Sequence, residues 1–224
     1  MLIPAIDLMG GAVVQLVQGE RVALRYDDVD AWAERFAGYP LVQVIDLDAA
    51  KGCGDNRELV GRLAARLPCQ VGGGLRTIEA AKACLAAGAE RVIVGSALVR
   101  ADRVDSAFAA DVSRAVGRDR LVCAVDSRGG RVVTQAWRKG TSLDTLETMR
   151  ALEAWCGGFL YTHTETEGLM GGIPLAVARR LRAGTRRRLV VAGGIASAAE
   201  VIALDELGVD AVVGMALYTG KLEG

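Results

Sequence analysis

Leu2-Ile3-Pro4-Ala5-Ile6-Asp7-Leu8 is an apolar run that closes on a carboxylate. A strand buried on both faces of a parallel sheet reads as a near-continuous hydrophobic stretch, so an acid at its carboxyl end calls for a reason. The pattern returns as Leu121-Val122-Cys123-Ala124-Val125-Asp126-Ser127, which sets the two aspartates 119 residues apart. Gly95-Ser96-Ala97-Leu98 returns at the same offset as Gly214-Met215-Ala216-Leu217. Gly73-Gly74-Leu75 returns 120 residues later as Gly193-Gly194-Ile195. Matched pairs at one offset predict a fold of two similar halves, each bringing one strand-end aspartate and two glycine turns to a shared face.

Composition agrees with that architecture. Hydrophobic residues make up 51% of the chain and aromatics only 4%, which suits helices packed on a parallel sheet. The 224 residues are enough for one large α/β domain with a full core. Lys+Arg and Asp+Glu both number 27, so nucleic acid and anionic membrane are set aside as main partners, and any anion site must come from local geometry. The five cysteines are scattered without a C-x-x-C pair, so neither a disulfide framework nor a zinc site is expected, and they read as small reduced core residues. No leader opens the chain and no apolar run is long enough to span a membrane, so a soluble cytoplasmic protein is expected.

Between these landmarks the chain alternates strand and helix signals. Strands are expected at Leu41–Leu47, Cys69–Val71, Arg91–Val94, Phe159–Thr162, Leu189–Ala192 and Ala211–Val213, with short extensions at Val13–Val17 and Arg131–Thr134. Helices are expected up to Ala37 with Trp32 and Phe36 inward, over Arg57–Leu67, from Thr77 to Ala87, over Asp102–Val116, Asp144–Trp155 and Leu175–Arg182, and after the capping box Ser197-Ala198-Ala199-Glu200. Gln18–Asp28 and His163–Gly172 read as polar loops, the first of them mobile. About eight β-then-α units without a composition break predict a (βα)8 TIM barrel, one domain over 1–224 made of half-barrels of about 1–118 and 119–224. An open doubly wound sheet is the alternative, and the four-plus-four repetition favours closure.

In such a barrel the active site lies at the carboxyl ends of the strands. Glycine turns there expose backbone N–H groups that favour phosphate. Gly72, Gly73, Gly74, Gly95 and Ser96 are expected to form one phosphate site, and Gly193, Gly194, Gly214 and Met215 a second one opposite. Asp7 and Asp126 would face each other between them, dividing base and acid roles if their surroundings separate their pKa values. A single such aspartate reads more simply as a helix cap or as a partner for Arg76 or Arg128. The repetition favours catalysis.

Ile3-Pro4-Ala5-Ile6-Asp7-Leu8, Val17-Gln18-Gly19, Ile45-Asp46-Leu47-Asp48, Val71-Gly72-Gly73-Gly74-Leu75-Arg76, Val94-Gly95-Ser96-Ala97 and Gly214-Met215-Ala216-Leu217-Tyr218-Thr219-Gly220-Lys221 occur in order across the chain. Together they resemble the phosphoribosylformimino-aminoimidazole carboxamide ribotide (ProFAR) isomerases of histidine biosynthesis. That resemblance implies an Amadori rearrangement of an aminoaldose to an aminoketose, a small substrate with a phosphate at each end, and no metal or cofactor. It implies Asp126 as the general acid that opens the ribose ring, Asp7 as the base that takes the proton beside the Schiff base, and Thr162 as an aid on the acid side. Gly19 and Arg76 fall in matching segments, and Trp137 matches a tryptophan that covers the aminoimidazole. After the sixth strand the family reads Thr-Asp-Ile and then Asp-Gly, whereas this chain has Thr162-His163-Thr164 and then Glu167-Gly168. His163, Glu167 and Gly168 are therefore carried as substrate-contact candidates, His163 for its near-neutral pKa at a barrel mouth. Three rivals stand beside this reading. They are an isomerase that also accepts phosphoribosylanthranilate, the related imidazole-forming cyclase, which usually has Cys in place of Ala5, and a non-catalytic phosphate-binding module. The run of arginines from Arg179 to Arg188 reads as a solvated helix end, and a monomer is expected.

Overall fold

The computed structural model describes residues 1–222 and closes a barrel of eight parallel strands. These are β1 (Leu2–Met9), β2 (Val42–Asp46), β3 (Cys69–Gly72), β4 (Arg91–Val94), β5 (Leu121–Arg128), β6 (Gly158–His163), β7 (Arg188–Ala192) and β8 (Asp210–Val213). Each strand pairs with its successor, β4 joins β5, and β8 returns to β1 with Ile3 opposite Val212. Seven helices lie between the strands: α1 (Val29–Phe36), α2 (Arg57–Arg66), α3 (Ile78–Ala86), α4 (Ser106–Val116), α5 (Thr145–Leu152), α6 (Leu175–Gly184) and α7 (Ala198–Asp205). Short helices follow β2 (Leu47–Lys51) and β8 (Met215–Tyr218).

Side-chain alternation divides the apolar residues into two cores. Ile3, Ala5, Ile93, Val122, Leu160, Val190 and Val212 pack inside the barrel, while Ile6, Leu8, Val44, Cys123, Phe159 and Tyr161 face the helices. This two-residue period decides where the chemistry goes. With Ala5 and Ala124 inward, Asp7 and Asp126 emerge inward at the barrel mouth; with Leu160 inward, so does Thr162.

The matched sequence pairs have matched backbones. Gly10 and Gly11 turn at φ +56° and +75°, and Gly129 and Gly130 at +57° and +76°. Gly95 sits at φ −123°, ψ −94° and Gly214 at −109°, −97°. The Gly73 turn packs on the backbone of Asp46 at the end of β2, and the Gly193 turn packs on that of His163 at the end of β6. Thr77 caps α3 through Ala80 N–H, and Ser197 caps α7 through Glu200 N–H.

Three stretches depart from the sequence reading. Arg21–Tyr26, expected as mobile loop, is a strand antiparallel to Ala12–Val17, because Gln18 and Gly19 adopt the left-handed geometry that reverses a hairpin. Lys139–Asp144 likewise pairs with Arg131–Thr134. Helix α4 starts at Ser106, not Asp102, because Ala101 and Asp102 are left-handed and residues 99–104 form a small hairpin.

Candidate active site

The barrel mouth opens into a cavity of about 210 Å³ whose wall includes Asp7 from β1, Asp126 from β5, Thr162 from β6 and Glu167 from the loop after β6. Among the described residues none gives Asp7 a hydrogen bond that would favour its charge, and burial lifts its pKa from 3.8 to about 7. Asp126 is raised by burial too, opposed by hydrogen bonds from Thr162 and Trp137 that favour the carboxylate. The Trp137 indole Nε1 donates to Asp126 Oδ2 at 2.8 Å, and Thr162 lies directly beside Asp126 in the β5–β6 register. Glu167 reaches about 8, by burial first and then by repulsion from Asp7 and Asp126. Three carboxyls therefore share one pocket with their affinities for protons set differently, Asp7 by burial alone and Asp126 and Glu167 by burial and neighbours, the arrangement that acid–base chemistry at neutral pH requires.

Loops hold these groups over the mouth. Gln18 N–H donates to Glu167 C=O at 3.0 Å and Gln18 Nε2 to Glu165 C=O at 3.3 Å, which docks the loop after β6 on the hairpin after β1. Gly19 lies flat against the Trp137 ring: a Cβ there would stand 2.6 Å from it, so only glycine fits at this φ of +74°. Gly73, Gly74, Gly95 and Ser96 line one side of the cavity, and Gly193, Gly194, Gly214 and Met215 line another.

A family model described as histidine biosynthesis protein matches residues 1–223. The chain belongs to this family. Among its relatives is the imidazole-4-carboxamide isomerase of Thermus thermophilus, whose full name carries two 5-phosphoribosyl groups, 42% identical over 99% of this chain and 95% of its own length. The isomerases of the same name from Methanocaldococcus jannaschii and Deinococcus radiodurans are each 33% identical, over 100% and 99% of this chain and 95% and 94% of their own.

Not every family position expected at the site reaches the cavity. His163 turns away: strand alternation sends its side chain outward beside Tyr161, whose hydroxyl lies 3.0 Å from Nδ1, while Nε2 faces Glu165 at 3.4 Å. Gly72 sits one step below the mouth against Ile45 and Ile93. Arg76 borders the cavity, yet its guanidinium donates to Ala49 C=O and Ala50 C=O at 3.1 and 2.8 Å, capping the short helix after β2. Asp46 and Asp48 serve the backbone as well, accepting from Ala49 and Asn56 N–H and from Gly10 N–H. Gly168 borders the cavity.

Three polar lining residues escaped the sequence reading, namely Gln15, Gln43 and Lys51. Gln15 and Gln43 interrupt apolar strands and are nearly fully buried, a visible signal that the duplicated motifs overshadowed. Gln70 Nε2 donates to Gln43 Oε1 at 2.8 Å inside the barrel, leaving the Gln43 amino group on the cavity floor. Lys51 rests its ammonium 3.8 Å from Met9 Sδ and had no motif to mark it.

Proposed function

We propose that this chain is a ProFAR isomerase, catalysing the Amadori rearrangement of an aminoaldose that carries a phosphate at each end. The observation that carries the reading is the pair Asp7 and Asp126, delivered by corresponding strands into one cavity whose flanks are corresponding pairs of glycine turns. Asp126, held toward its protonated form by burial, gives a proton to the ribose ring oxygen as the C1–O bond breaks and the Schiff base forms. Thr162 and Trp137 orient it and stabilise the carboxylate left behind. Asp7, close to half-ionised at neutral pH, removes the proton from the adjacent carbon, and the resulting enaminol tautomerises to the ketose. The phosphates are assigned to Gly73, Gly74, Gly95 and Ser96 on one flank and to Gly193, Gly194, Gly214 and Met215 on the other, where backbone N–H groups supply the donors. Glu167 and Gly168 are assigned to the substrate between them.

The rearrangement moves protons within one molecule, so the reading calls for no metal or organic cofactor. A monomer working in the cytoplasm belongs to the same proposal, supported by a barrel whose eight strands leave no open edge among them; no helix among the described residues is long and apolar enough to cross a membrane. The test is steady-state turnover of ProFAR and, separately, of phosphoribosylanthranilate by the wild type, Asp7→Asn and Asp126→Asn. Turnover of ProFAR that falls at least about a hundredfold in each variant is expected, the scale of a lost acid or base. Unchanged turnover in either variant overturns its role. Activity on both substrates would favour the dual-substrate isomerase.

A further inference from the structure

The loop after β5 is held in a demanding conformation by contacts that run from one glycine turn to the acid. Gln135, Ala136 and Trp137 all lie in the left-handed region, at φ +56°, +53° and +65°. Three successive non-glycine residues there persist only where their surroundings over-determine them. Two contacts reach outward from this turn. Gln135 N–H donates to Ser96 Oγ at 2.8 Å, and Trp137 Nε1–H donates to Asp126 Oδ2 at 2.8 Å. A third contact lies at the base of the loop, where Ser142 N–H and Oγ–H both donate to Asp102. Ser96 thus accepts from the loop and keeps its own hydroxyl hydrogen for an acceptor in the cavity that it borders.

We propose that Ser96 is a positioning residue that couples the phosphate bound at the turns after β3 and β4 to the placement of Trp137 over Asp126. The inference rests on the reading above, that these turns hold one phosphate of the substrate. A phosphate oxygen accepting from Ser96 Oγ–H polarises the hydroxyl and strengthens its acceptance from Gln135 N–H, since hydrogen bonds in a chain reinforce one another. The left-handed turn is then held down and the indole N–H stays on Asp126. A substrate with a phosphate at this end therefore completes the acid it is about to use. Ser96 acts through Gln135 and Trp137, not on the reacting atoms.

The test combines backbone amide exchange over residues 135–138, with and without inorganic phosphate, with ProFAR turnover, in the full-length wild type, Ser96→Ala and Ser96→Thr. Phosphate is expected to slow exchange of this segment in the wild type and in Ser96→Thr, and not in Ser96→Ala. Loss of the one relay should lower kcat of Ser96→Ala by about tenfold, beyond any rise in KM, with Ser96→Thr restoring it. The alkaline limb of its kcat profile should move to higher pH, because Asp126 loses a donor that favours its charged form. Phosphate-dependent protection that survives in Ser96→Ala, or a change confined to KM, overturns the coupling. Wild-type turnover of ProFAR with exchange at 135–138 indifferent to phosphate also overturns it and leaves the isomerase reading intact. Phosphate protection lost only in Ser96→Ala, without wild-type turnover, supports the coupling and sinks the isomerase reading.

Discussion

Asp7 illustrates how one buried carboxyl ties stability to activity. Its pKa rises from 3.8 to about 7 on folding, so the native state holds a proton that the unfolded chain releases. The sign follows directly: this group weighs against folding as pH climbs from about 4 to 7, and the cost is complete above 7. Asp7→Asn should therefore stabilise the protein at pH 8, by on the order of a few kcal/mol, with the gain fading toward pH 4, as urea melts at both pH values would show. The same group acting as base predicts that kcat/KM rises through pH 7 in the wild type, and a rise centred near pH 4 would remove it from that role. Trp137→Phe offers the complementary case. It deletes one donor to Asp126, so the acid should hold its proton to higher pH and the alkaline limb of the rate profile should move up. Asp7, Asp126 and the turns that flank them were legible because each occurs twice in the sequence, at strand ends. The orientation of His163 was not, because it depends on which parity of β6 faces inward, and the spent guanidinium of Arg76 depends on a helix of five residues that no periodicity announces.

Elements were legible where a period or a cap repeats, and illegible where long-range pairing made them. Thr77 and Ser197 were readable as caps, and both accept from a backbone N–H three residues on. The strand Arg21–Tyr26 is mostly exposed on both faces, so only its partner Ala12–Val17 gives it an identity. The arginine-rich end of α6 shows a second kind of hidden order. Arg182 donates to the carbonyls of Thr185, Arg187 and Gly208, and Arg187 Nε donates to Glu153 C=O at 2.9 Å. Much of that basic run is thus fastening between helix and strand. The short helix Met215–Tyr218 fastens the other end of the barrel. Tyr218 packs its ring at a tilt against Trp32, centroids 4.1 Å apart, and donates its hydroxyl to Ala5 C=O at 2.8 Å, two residues before Asp7. Tyr218→Phe should cost about 1 kcal/mol, the worth of one hydrogen bond, and Tyr218→Ala about 3–5 kcal/mol, by denaturant unfolding. Equal costs would mean that the hydroxyl, and not the ring, joins β8 to β1.

For the molecule as a whole, the repeated offset of 119 and the repeated turn dihedrals point to one physical unit used twice. We propose that residues 1–118 and 119–224 are half-barrels, each able to form its own four-stranded layer and neither able to close it. Alone, the first half leaves β1 and β4 as open edges and the second leaves β5 and β8, each with an uncovered apolar inner face. Such edges pair with whatever strand is at hand. In the intact chain they meet at only two seams, β4 against β5 and β8 against β1. Separately produced halves should therefore self-associate or aggregate, and mixing them should yield a soluble complex whose mass is that of the 23.5 kDa chain. Restored ProFAR turnover in that complex would follow, because Asp7 arrives with one half and Asp126 with the other. Light scattering after gel filtration reads the first outcome and the isomerase assay the second. Halves that stay monomeric and well folded, or that never combine, would show that the repeat records similar local turns without an independent layer, and the division near residue 118 would then have no energetic meaning.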